Sequence, residues 1–518
     1  MAGWWFRPGA QTQAPTTAVA ATPLTTYPGR EISPSFSPNG DRVVFAWEGE
    51  NRDNWDIYVR LIGEDTPQQL TDHQAEDFGP AWSPDGRWIA FMRRDRGKNT
   101  SQVMLVPSIG GPERPVLEGP SLGTIGIWNS VSRYVAWHPD GEHLVVSHIK
   151  KGGSQAYLYA VILETGSVQR LITTDIAISG DTDPAVSPDG HHLAFRRRFA
   201  SWASAVYVVD LTDSLEVAGE PRNLSGELYA YSPAWMLDGK EIIFAAGSTE
   251  RPRLWRVSAV GGEPRRIVQP SEGAFPALSP AGNRGALALV SPDFDVWQAR
   301  LPDGGETKPL ISSTYLDIYP KYSPDGNRIA FSSSRSGCRE IWVCDSDGSS
   351  PVQLTDLESV LSAGPYWSRD GQWIYFSSNP SGEQRIWKMA AEGGEAVPVT
   401  SERGGYALES LDGQTLYFSG RGSLWSIPVE GGNPLLVIEQ IGGDTNMSLS
   451  RDGIYFRGGR GAQRSLDFYD FQTKKGNPLL DLPDPTYNGV SVSPDGKTIL
   501  FVQGTLPESD IVLVDEFR

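Results

Sequence analysis

The chain has 518 residues, 56 glycines, 39 prolines and a formal net charge of −18. This acidic balance argues against binding of DNA or RNA, whose phosphates require a basic surface. The length exceeds that of one ordinary domain but suits an array of repeats, in which each unit packs against its neighbours. The glycine and proline content, without a long helical periodicity, predicts short strands joined by tight turns.

Residues 1–22 contain no predicted repeat unit. Trp4, Trp5, Phe6 and Arg7 form an aromatic cluster followed by a cation, which is typical of the interfacial end of a membrane helix. The stretch from Gly9 to Ala21 is rich in Thr, Ala, Gln and Pro and is typical of a flexible linker. The segment is therefore either an unstructured linker or the remnant of a membrane anchor, in which case a membrane tether would precede this chain.

A four-residue turn recurs along the rest of the chain, most clearly as Ser83-Pro84-Asp85-Gly86. Proline fixes φ, the Asp side chain can accept a bond from a following backbone N–H, and glycine takes positive φ before the next strand. The motif glycines lie 40–55 residues apart, at Gly40, Gly86, Gly141, Gly190, Gly239, Gly282, Gly326, Gly371, Gly413, Gly453 and Gly496. The sequence thus contains eleven copies of one unit.

Each unit is interpreted as four strands. In the second copy they are Pro80 to Ser83, Trp88 to Met92, Gln102 to Val106 and Arg114 to Leu117. Alternating strands of this length, with a tight turn after the first, are typical of a propeller blade. We therefore predict an all-β fold, a β-propeller built from four-stranded blades.

The two ends of the array are predicted to meet. The last unit stops after a third strand, Asp510 to Val514, whereas Pro23 to Thr26 is a fourth strand with no blade before it. An unpaired edge promotes aggregation, so the N-terminal strand should close the open blade. Eleven blades exceed the usual four to eight of one ring, which favours two rings, of about six blades in residues 23–310 and about five in residues 311–518. A single large ring is the alternative.

The repeat resembles a known family. Its turns are followed by Ile-Ala-Phe, then by Ile-Tyr-Val or Ile-Trp-Val, Gly-Gly-x-Pro and Leu-Thr, and this order resembles the TolB-like propeller repeat over about residues 23 to 518. The long array is also similar to the extracytoplasmic region of bacterial membrane-tethered winged-helix regulators or kinases. These resemblances imply a rigid scaffold in the periplasm or elsewhere outside the cytoplasm, with a cytoplasmic location as the alternative.

The sequence offers no catalytic constellation. Gly119-Pro120-Ser121-Leu122-Gly123 matches the nucleophile-elbow pattern in letters, but that elbow requires a strand-to-helix turn and β-rich sequence follows here. The histidines show no metal-ligand spacing, and we predict neither a metal nor another cofactor. A non-enzymatic binding or sensing module is the first hypothesis. A propeller that assists a hydrolase or lyase acting on peptide or polysaccharide is the alternative.

One position in each blade, six residues before the first residue of the turn, is frequently acidic. We call these residues the collar, namely Glu31, Asp77, Asp181, Asp317 and Asp444. They either cap backbone N–H groups of the turn between blades or form an acidic ring that receives a cationic group or peptide.

The loops between the second and third strands are instead basic. Scattered charge is usual at exposed loops, but arginine next to tryptophan is also typical of a partner-binding surface. We name as candidate partner-binding residues, called the rim, Arg52, Trp55, Arg94, Arg196, Arg198, Trp202 and Arg339. The predicted partner is a protein or a small extracytoplasmic ligand.

Overall fold

The structure is a computed structural model, and it describes residues 21–515 with short gaps. The gaps are residues 121–132, 150–154, 173–179, 201–202, 227, 248–251, 268–271, 283, 292–293, 302–306, 314, 337–338, 358–361, 379–383, 401–403, 411, 421–422, 430–431, 439–446, 450–451, 459–463, 471, 474, 483–485 and 505–507. The predictions made for residues 1–20, for Ser121, for Trp202 and for Asp444 lie outside the described residues.

The recurring turn forms through its own side chains. Ser83 Oγ donates to Asp85 Oδ1 at 2.6 Å, and the same aspartate oxygen accepts from Arg87 N at 3.0 Å. Ser83 Oγ also accepts from Trp88 N at 2.9 Å, and Gly86 has φ 76°. These bonds connect the end of one strand to the start of the next, which is why the tetrapeptide specifies a hairpin.

All regular structure in the described ranges is β-strand, and the strands form four-stranded blades. The predicted all-β propeller fold is therefore confirmed.

Six blades form a first ring, because their inner strands contact one another in a closed circuit. From the inner strand outwards they are blade 1, β2 (Glu31–Phe36), β3 (Arg42–Trp47), β4 (Asp56–Leu61) and β5 (Gln68–Gln69); blade 2, β6 (Glu76–Trp82), β7 (Trp88–Asp95), β8 (Thr100–Pro107) and β9 (Arg114–Pro120); blade 3, β10 (Val135–Trp137), β11 (His143–Ile149), β12 (Ala156–Ile162) and β13 (Val168–Arg170); blade 4, β14 (Gly180–Val186), β15 (His192–Ala200), β16 (Ala203–Leu211) and β17 (Val217–Asn223); blade 5, β18 (Ala230–Trp235), β19 (Glu241–Ala246), β20 (Arg253–Ser258) and β21 (Arg265–Arg266); and blade 6, β22 (Ala274–Leu278), β23 (Arg284–Ser291), β44 (Glu508–Asp515) and β1 (Ala21–Pro23).

The inner strands of the other five blades form a second closed circuit. These blades are blade 7, β26 (Asp317–Tyr322), β27 (Arg328–Ser333), β28 (Glu340–Asp345) and β29 (Val352–Gln353); blade 8, β30 (Ser362–Trp367), β31 (Trp373–Ser378), β32 (Arg385–Ala390) and β33 (Val397–Pro398); blade 9, β34 (Ala407–Glu409), β35 (Thr415–Gly420), β36 (Ser423–Pro428) and β37 (Leu435–Ile438); blade 10, β38 (Met447–Leu449), β39 (Gly453–Gly458), β40 (Arg464–Asp470) and β41 (Lys475–Leu482); and blade 11, β42 (Thr486–Val492), β43 (Thr498–Gly504), β24 (Phe294–Arg300) and β25 (Lys308–Ile311).

Two blades are built from distant parts of the chain. In blade 6, β44 lies between β23 and β1, and in blade 11, β43 pairs with β24. The chain therefore passes from the first ring to the second after Ser291 and returns before Glu508. Strand pairing consequently does not follow the predicted division at residues 310/311, which assumed that consecutive strands always pair, as most do.

The N-terminal strand pairs with the C-terminal strand as predicted. Thr22 is opposite Leu513 in β1 and β44, and Leu24 is buried. Thr25 Oγ1 accepts from Ile511 N at 2.7 Å, as Thr71 Oγ1 accepts from Ile57 N in blade 1. The last repeat unit does not form one blade with this strand, because its two preceding strands, β42 and β43, pair within blade 11.

A bulge interrupts the inner strands at one level of the first ring. In five of its blades the pairing register shifts at a residue with positive φ that is followed by proline. These residues are Ser33, Gly79, Asp183, Ser232 and Phe275. A bulge changes the direction in which a strand presents its side chains and backbone groups, so the inner strands depart from regular sheet geometry at this level.

Candidate functional site

The described collar residues are buried and bonded within the rings. Glu31 is fully buried and accepts a hydrogen bond from Thr25 Oγ1 at 3.0 Å. Burial raises the pKa of Glu31 to about 9. Asp77 binds the guanidinium of Arg93, whose Nε and Nη2 donate to its two oxygens at 2.8 and 2.7 Å.

The other described collar carboxylates have the same type of partner. Asp181 accepts from Arg197 Nε at 2.9 Å and from Nη2 at 3.0 Å. Asp317 accepts from Arg335 Nη2 at 2.7 Å and from Ser313 Oγ at 2.7 Å. In these pairs the carboxylate binds an arginine of its own blade, whereas we expected it either to cap N–H groups of the turn or to receive a cationic group or peptide from outside.

Most described rim residues lie in or beside strands, because the second strands extend further than predicted. Arg94 belongs to β7, Arg196 and Arg198 belong to β15, and all three are buried. Arg339 is also buried, immediately before β28. The expectation that these four arginines form an exposed loop surface is therefore wrong.

The remaining described rim residues are partly exposed in blade 1. Arg52 Nη2 contacts Glu508 Oε1 at 2.6 Å, which joins blade 1 to blade 6. Trp55 lies under the guanidinium of Arg30, whose Cζ is 4.9 Å from the ring centroid. Both contacts are internal and stabilise the packing between neighbouring segments of the first ring.

Blades 2 and 4 present the same structural positions with different chemistry. In blade 2, Arg94 is opposite Glu76, and Arg94 Nε donates to Glu76 Oε2 at 2.7 Å. In blade 4 the equivalent pair is Arg198 and Gly180. A Cβ atom on Gly180, which has φ +92°, would lie 1.9 Å from the carbonyl oxygen of Ala156, so no acidic side chain fits there.

The neighbouring cross-strand pair is also more polar in blade 4 than in blade 2. Phe78 and Met92 are opposite each other in blade 2 and belong to its hydrophobic core. Their equivalents in blade 4 are Thr182 and Arg196. Blade 4 thus contains buried polar groups where blade 2 contains apolar side chains and an acid–base pair.

We call Arg133, Arg196, Arg198 and Asp183 the arginine cluster. Arg133 precedes the inner strand of blade 3, and its Nη2 donates to the carbonyl oxygens of Pro34 and Phe275 at 3.0 and 2.9 Å. Those two acceptors belong to blades 1 and 6, so the Arg133 side chain reaches across the ring centre. Burial lowers the pKa of Arg133 to about 10, which leaves it charged at neutral pH.

Asp183 is the carboxylate shared by the three arginines. Arg196 Nη1 lies 3.8 Å from Asp183 Oδ2, and Arg196 Nη2 donates to the Tyr229 hydroxyl at 2.9 Å. Burial, followed by the charge of Arg196, lowers the pKa of Arg198, and Asp183 acts in the opposite direction. Within the described residues, the cluster therefore combines three guanidinium groups with one carboxylate and has an excess of positive charge.

Several donors of the cluster have no hydrogen-bond partner. They are the Nε atoms of Arg133 and Arg196 and the Nε and Nη2 atoms of Arg198. The buried hydroxyls of Ser33, Thr182 and Ser232, at or next to the bulge level, also have none. Unpaired buried donors cost free energy, typically about 1–3 kcal/mol each, so a group of them in one ring is a candidate ligand site.

A second polar feature lies between blades 7 and 11. A cavity of about 350 Å³ is lined by Gln298, Tyr322, Asp325 and Asp495 among others. Hydrogen bonds from Ser323 and Ser493 lower the pKa values of the two aspartates. These carboxyls are therefore ionised members of the recurring turn and are not suited to donate a proton at neutral pH.

The turn between β10 and β11 brings two histidines to one aspartate. Asp140 Oδ2 lies 2.8 Å from His138 Nδ1 and 2.7 Å from His143 Nδ1. His138 occupies the position of the turn serine, so these contacts replace the Ser–Asp hydrogen bond of the other blades. The three ligand atoms are mutually within 4.8 Å, a closeness that the sequence spacing did not predict.

Comparison with known proteins agrees with this architecture. The family model described as the TolB beta propeller domain matches residues 15–122 and 296–423. Together with the four-stranded blades, these matches support a TolB-like β-propeller. The described strands of the first range belong to the first ring, and those of the second range belong to the second ring.

Three curated relatives match parts of the chain. An uncharacterised protein of Agrobacterium fabrum is 26% identical over 232 residues, which are 44% of this chain and 61% of that protein. The uncharacterised peptidase YuxL of Bacillus subtilis is 27% identical over 31% of this chain and 28% of its own length. A TolB homologue of Chlorobium luteolum is 27% identical over 22% of this chain and 26% of its own length. The chain thus spans less than two thirds of each relative.

A solved structure described as a TolB protein of Agrobacterium tumefaciens is 18% identical, covers 65% of this chain and 94% of its own, and has a TM-score of 0.20. No helix among the described residues is long and apolar enough to cross a membrane.

Proposed function

We propose that this protein is a non-enzymatic β-propeller scaffold that binds a ligand or a partner protein at the centre of its first ring. The observation that carries the proposal is the arginine cluster, where Arg196 and Arg198 are each only 3% exposed and retain unbonded donors. Burying a charge without its full set of partners is unfavourable for folding. An arrangement that is costly for stability is expected where a ligand supplies the missing contacts.

Two buried glutamates with strongly raised pKa values are better explained by a structural role than by catalysis. Burial raises the pKa of Glu31 to about 9 and that of Glu340 to about 7. Each accepts a hydrogen bond from a threonine, Thr25 and Thr355 respectively, and both threonines also accept a backbone N–H of a third strand. A threonine used in this way in several blades has a structural function, so these acids are poor candidates for general acid–base catalysis.

We place this function outside the cytoplasm, as a sensor or interaction module. The support is the TolB-like propeller match, together with the similarity of the repeat array to extracytoplasmic regions of membrane-tethered regulators. The whole protein's partners and any output domain are part of the same proposal.

A second candidate function is an accessory propeller of a peptidase. It is favoured by the match to the peptidase YuxL, which covers 28% of that protein. In this case the ring would admit or orient a peptide for a catalytic domain and would not cleave it.

The test is a thermal-shift screen of metabolites and short peptides, followed by mass spectrometry of every compound that raises the melting temperature. If the protein only binds the compound, mass spectrometry should recover that compound chemically unchanged, because binding to the native state is sufficient to raise stability. Turnover of a stabilising compound by the purified protein would contradict the proposal. Stabilisation confined to peptides would favour the peptidase-accessory function.

A further inference from the structure

We propose that the arginine cluster binds a small carboxylate ligand, which occupies the Nε–Nη2 edge of Arg198. This inference rests on the proposed function and specifies the chemistry that the ring centre recognises. It concerns Arg198 and its neighbours Arg196 and Thr182, which line one face of blade 4.

The chain itself shows what this edge of an arginine binds. In three pairs among the described residues, Nε and Nη2 of an arginine bind the two oxygens of one carboxylate at N–O distances of 2.7–3.3 Å, namely Arg93–Asp77, Arg197–Asp181 and Arg335–Asp317. Arg94, the equivalent of Arg198 in blade 2, directs Nε and Nη2 to Glu76 Oε2 at 2.7 and 2.6 Å. On Arg198 both atoms are buried and unbonded.

The position opposite Arg198 cannot supply the missing carboxylate. Gly180 occupies the position of Glu76, and the backbone of Ala156 excludes any side chain there. The carboxylate must therefore come from outside this strand pair. A guanidinium binds a planar carboxylate with two parallel hydrogen bonds, which makes this edge specific as well as attractive.

The surroundings favour an anion with further acceptor atoms. Arg196 Nε and the hydroxyls of Thr182 and Ser232 are buried donors without partners. The single negative charge of Asp183 compensates only part of the positive charge of the three arginines, because it interacts electrostatically with Arg133, Arg196 and Arg198 at once. A ligand with one carboxylate on Arg198 and a second acidic or polar group toward Arg196 would satisfy more of these donors than a simple monovalent ion.

Two sources share this chemistry, a free dicarboxylic acid and the C-terminal carboxylate of a peptide. The experiment measures binding to the full chain by calorimetry at constant ionic strength. The probes are succinate, a tetra-alanine peptide with a free C-terminus, the same peptide as its C-terminal amide, and sulfate. Binding of succinate alone indicates the free acid, whereas binding of the free peptide but not its amide indicates the peptide terminus.

The variants distinguish binding at the Nε–Nη2 edge of Arg198 from a general effect of positive charge on affinity. Arg198→Leu should weaken binding of the carboxylate probe by at least about tenfold, and Arg198→Lys, which keeps the charge but removes the fork, by a similar factor. Arg87→Leu removes the same charge from an exposed turn and should leave the affinity unchanged. If the leucine variant does not fold, the lysine variant provides the same comparison.

Three results would overturn the inference. They are absence of binding of both carboxylate probes up to about 10 mM, equal affinity for sulfate and the carboxylates, and unchanged affinity in Arg198→Lys. If another compound from the thermal-shift screen binds while the carboxylates do not, the carboxylate inference fails and the binding function stands.

Discussion

Arg197 and Arg198 are consecutive residues of β15, and only Arg197 holds a carboxylate on its Nε–Nη2 edge. The Arg197 bonds to Asp181 measure 2.9 and 3.0 Å, whereas the same two atoms of Arg198 are buried without partners. Successive strand residues face opposite sides of a sheet, so blade 4 contains a structural ion pair on one face and a buried arginine edge without a carboxylate on the other.

Arg197→Leu should strongly destabilise the protein. It leaves Asp181, which is 2% exposed, without its partner, and the loss of one member of a buried pair typically costs about 3–5 kcal/mol. Arg87→Leu, which breaks an exposed pair with Asp85, should cost less than about 1 kcal/mol. Urea unfolding of the two variants measures both values, and equal losses would contradict the structural assignment of the Arg197 pair.

Thr25→Val should weaken the closure between the two ends of the chain. Thr25 Oγ1 donates to Glu31 and accepts from Ile511 N, so the substitution leaves two buried groups unsatisfied and should cost about 2–4 kcal/mol. Thr22→Val, at an exposed position of β1 three residues earlier, is the matched control and should change stability little. Protection of the Ile511 amide from hydrogen exchange should fall only in the Thr25 variant.

Glu31 should give the protein a distinctive loss of stability at higher pH. Burial raises its pKa from 4.5 in the unfolded chain to about 9 in the folded protein, so the folded state binds the extra proton between these values. Stability should therefore fall as the pH rises from about 4.5 to about 9, by at most about 1.4 kcal/mol per pH unit from this group.

Glu31→Gln should remove that slope, with little change near pH 4 and higher stability than the parent near pH 8. Chemical denaturation at several pH values measures the difference, and Glu64→Gln at an exposed position is the control. A parallel pH dependence of parent and Glu31→Gln would show that Glu31 is already ionised in the folded protein.

The double crossing of the chain predicts that the first ring can be separated from the second. Ser291 and Glu508 are opposite each other in β23 and β44, so a short Asn-Gly turn in place of residues 292–507 should join them as a hairpin. This shortened chain should be monomeric and unfold cooperatively. Residues 23–310 alone lack β44 and leave the edge of β23 unpaired, and they should aggregate. The opposite outcome in light scattering would contradict the composite blades.

The repeat unit was predictable because its information is local. Each turn is specified by the side chains of its own four residues, as in Ser83 and Asp85, and each blade follows from the strands beside it. The closure by Thr25 was also predictable, since Leu24-Thr25 resembles the ends of other blades. The composite blades were not, because the sequence does not encode which distant strand completes a sheet.

The site was less predictable, since it depends on cross-strand register. Asp77 and Arg93 are 16 residues apart, and only their pairing across β6 and β7 shows that they bind each other. The sequence near Arg133 did carry a signal. Proline stands three residues before the turn in the other five blades of the first ring, whereas blade 3 has Val135 there, two residues after Arg133.

The central claim is that Arg198 is retained for binding at a cost to stability. The most direct measurement is the free energy of unfolding of Arg198→Leu in the absence of ligand. Replacing an unpaired buried charge by an apolar side chain of similar length should increase that free energy by about 1–3 kcal/mol. A decrease of the size expected for Arg197→Leu would contradict the claim, since it would mean that Arg198 already has its partner within the fold.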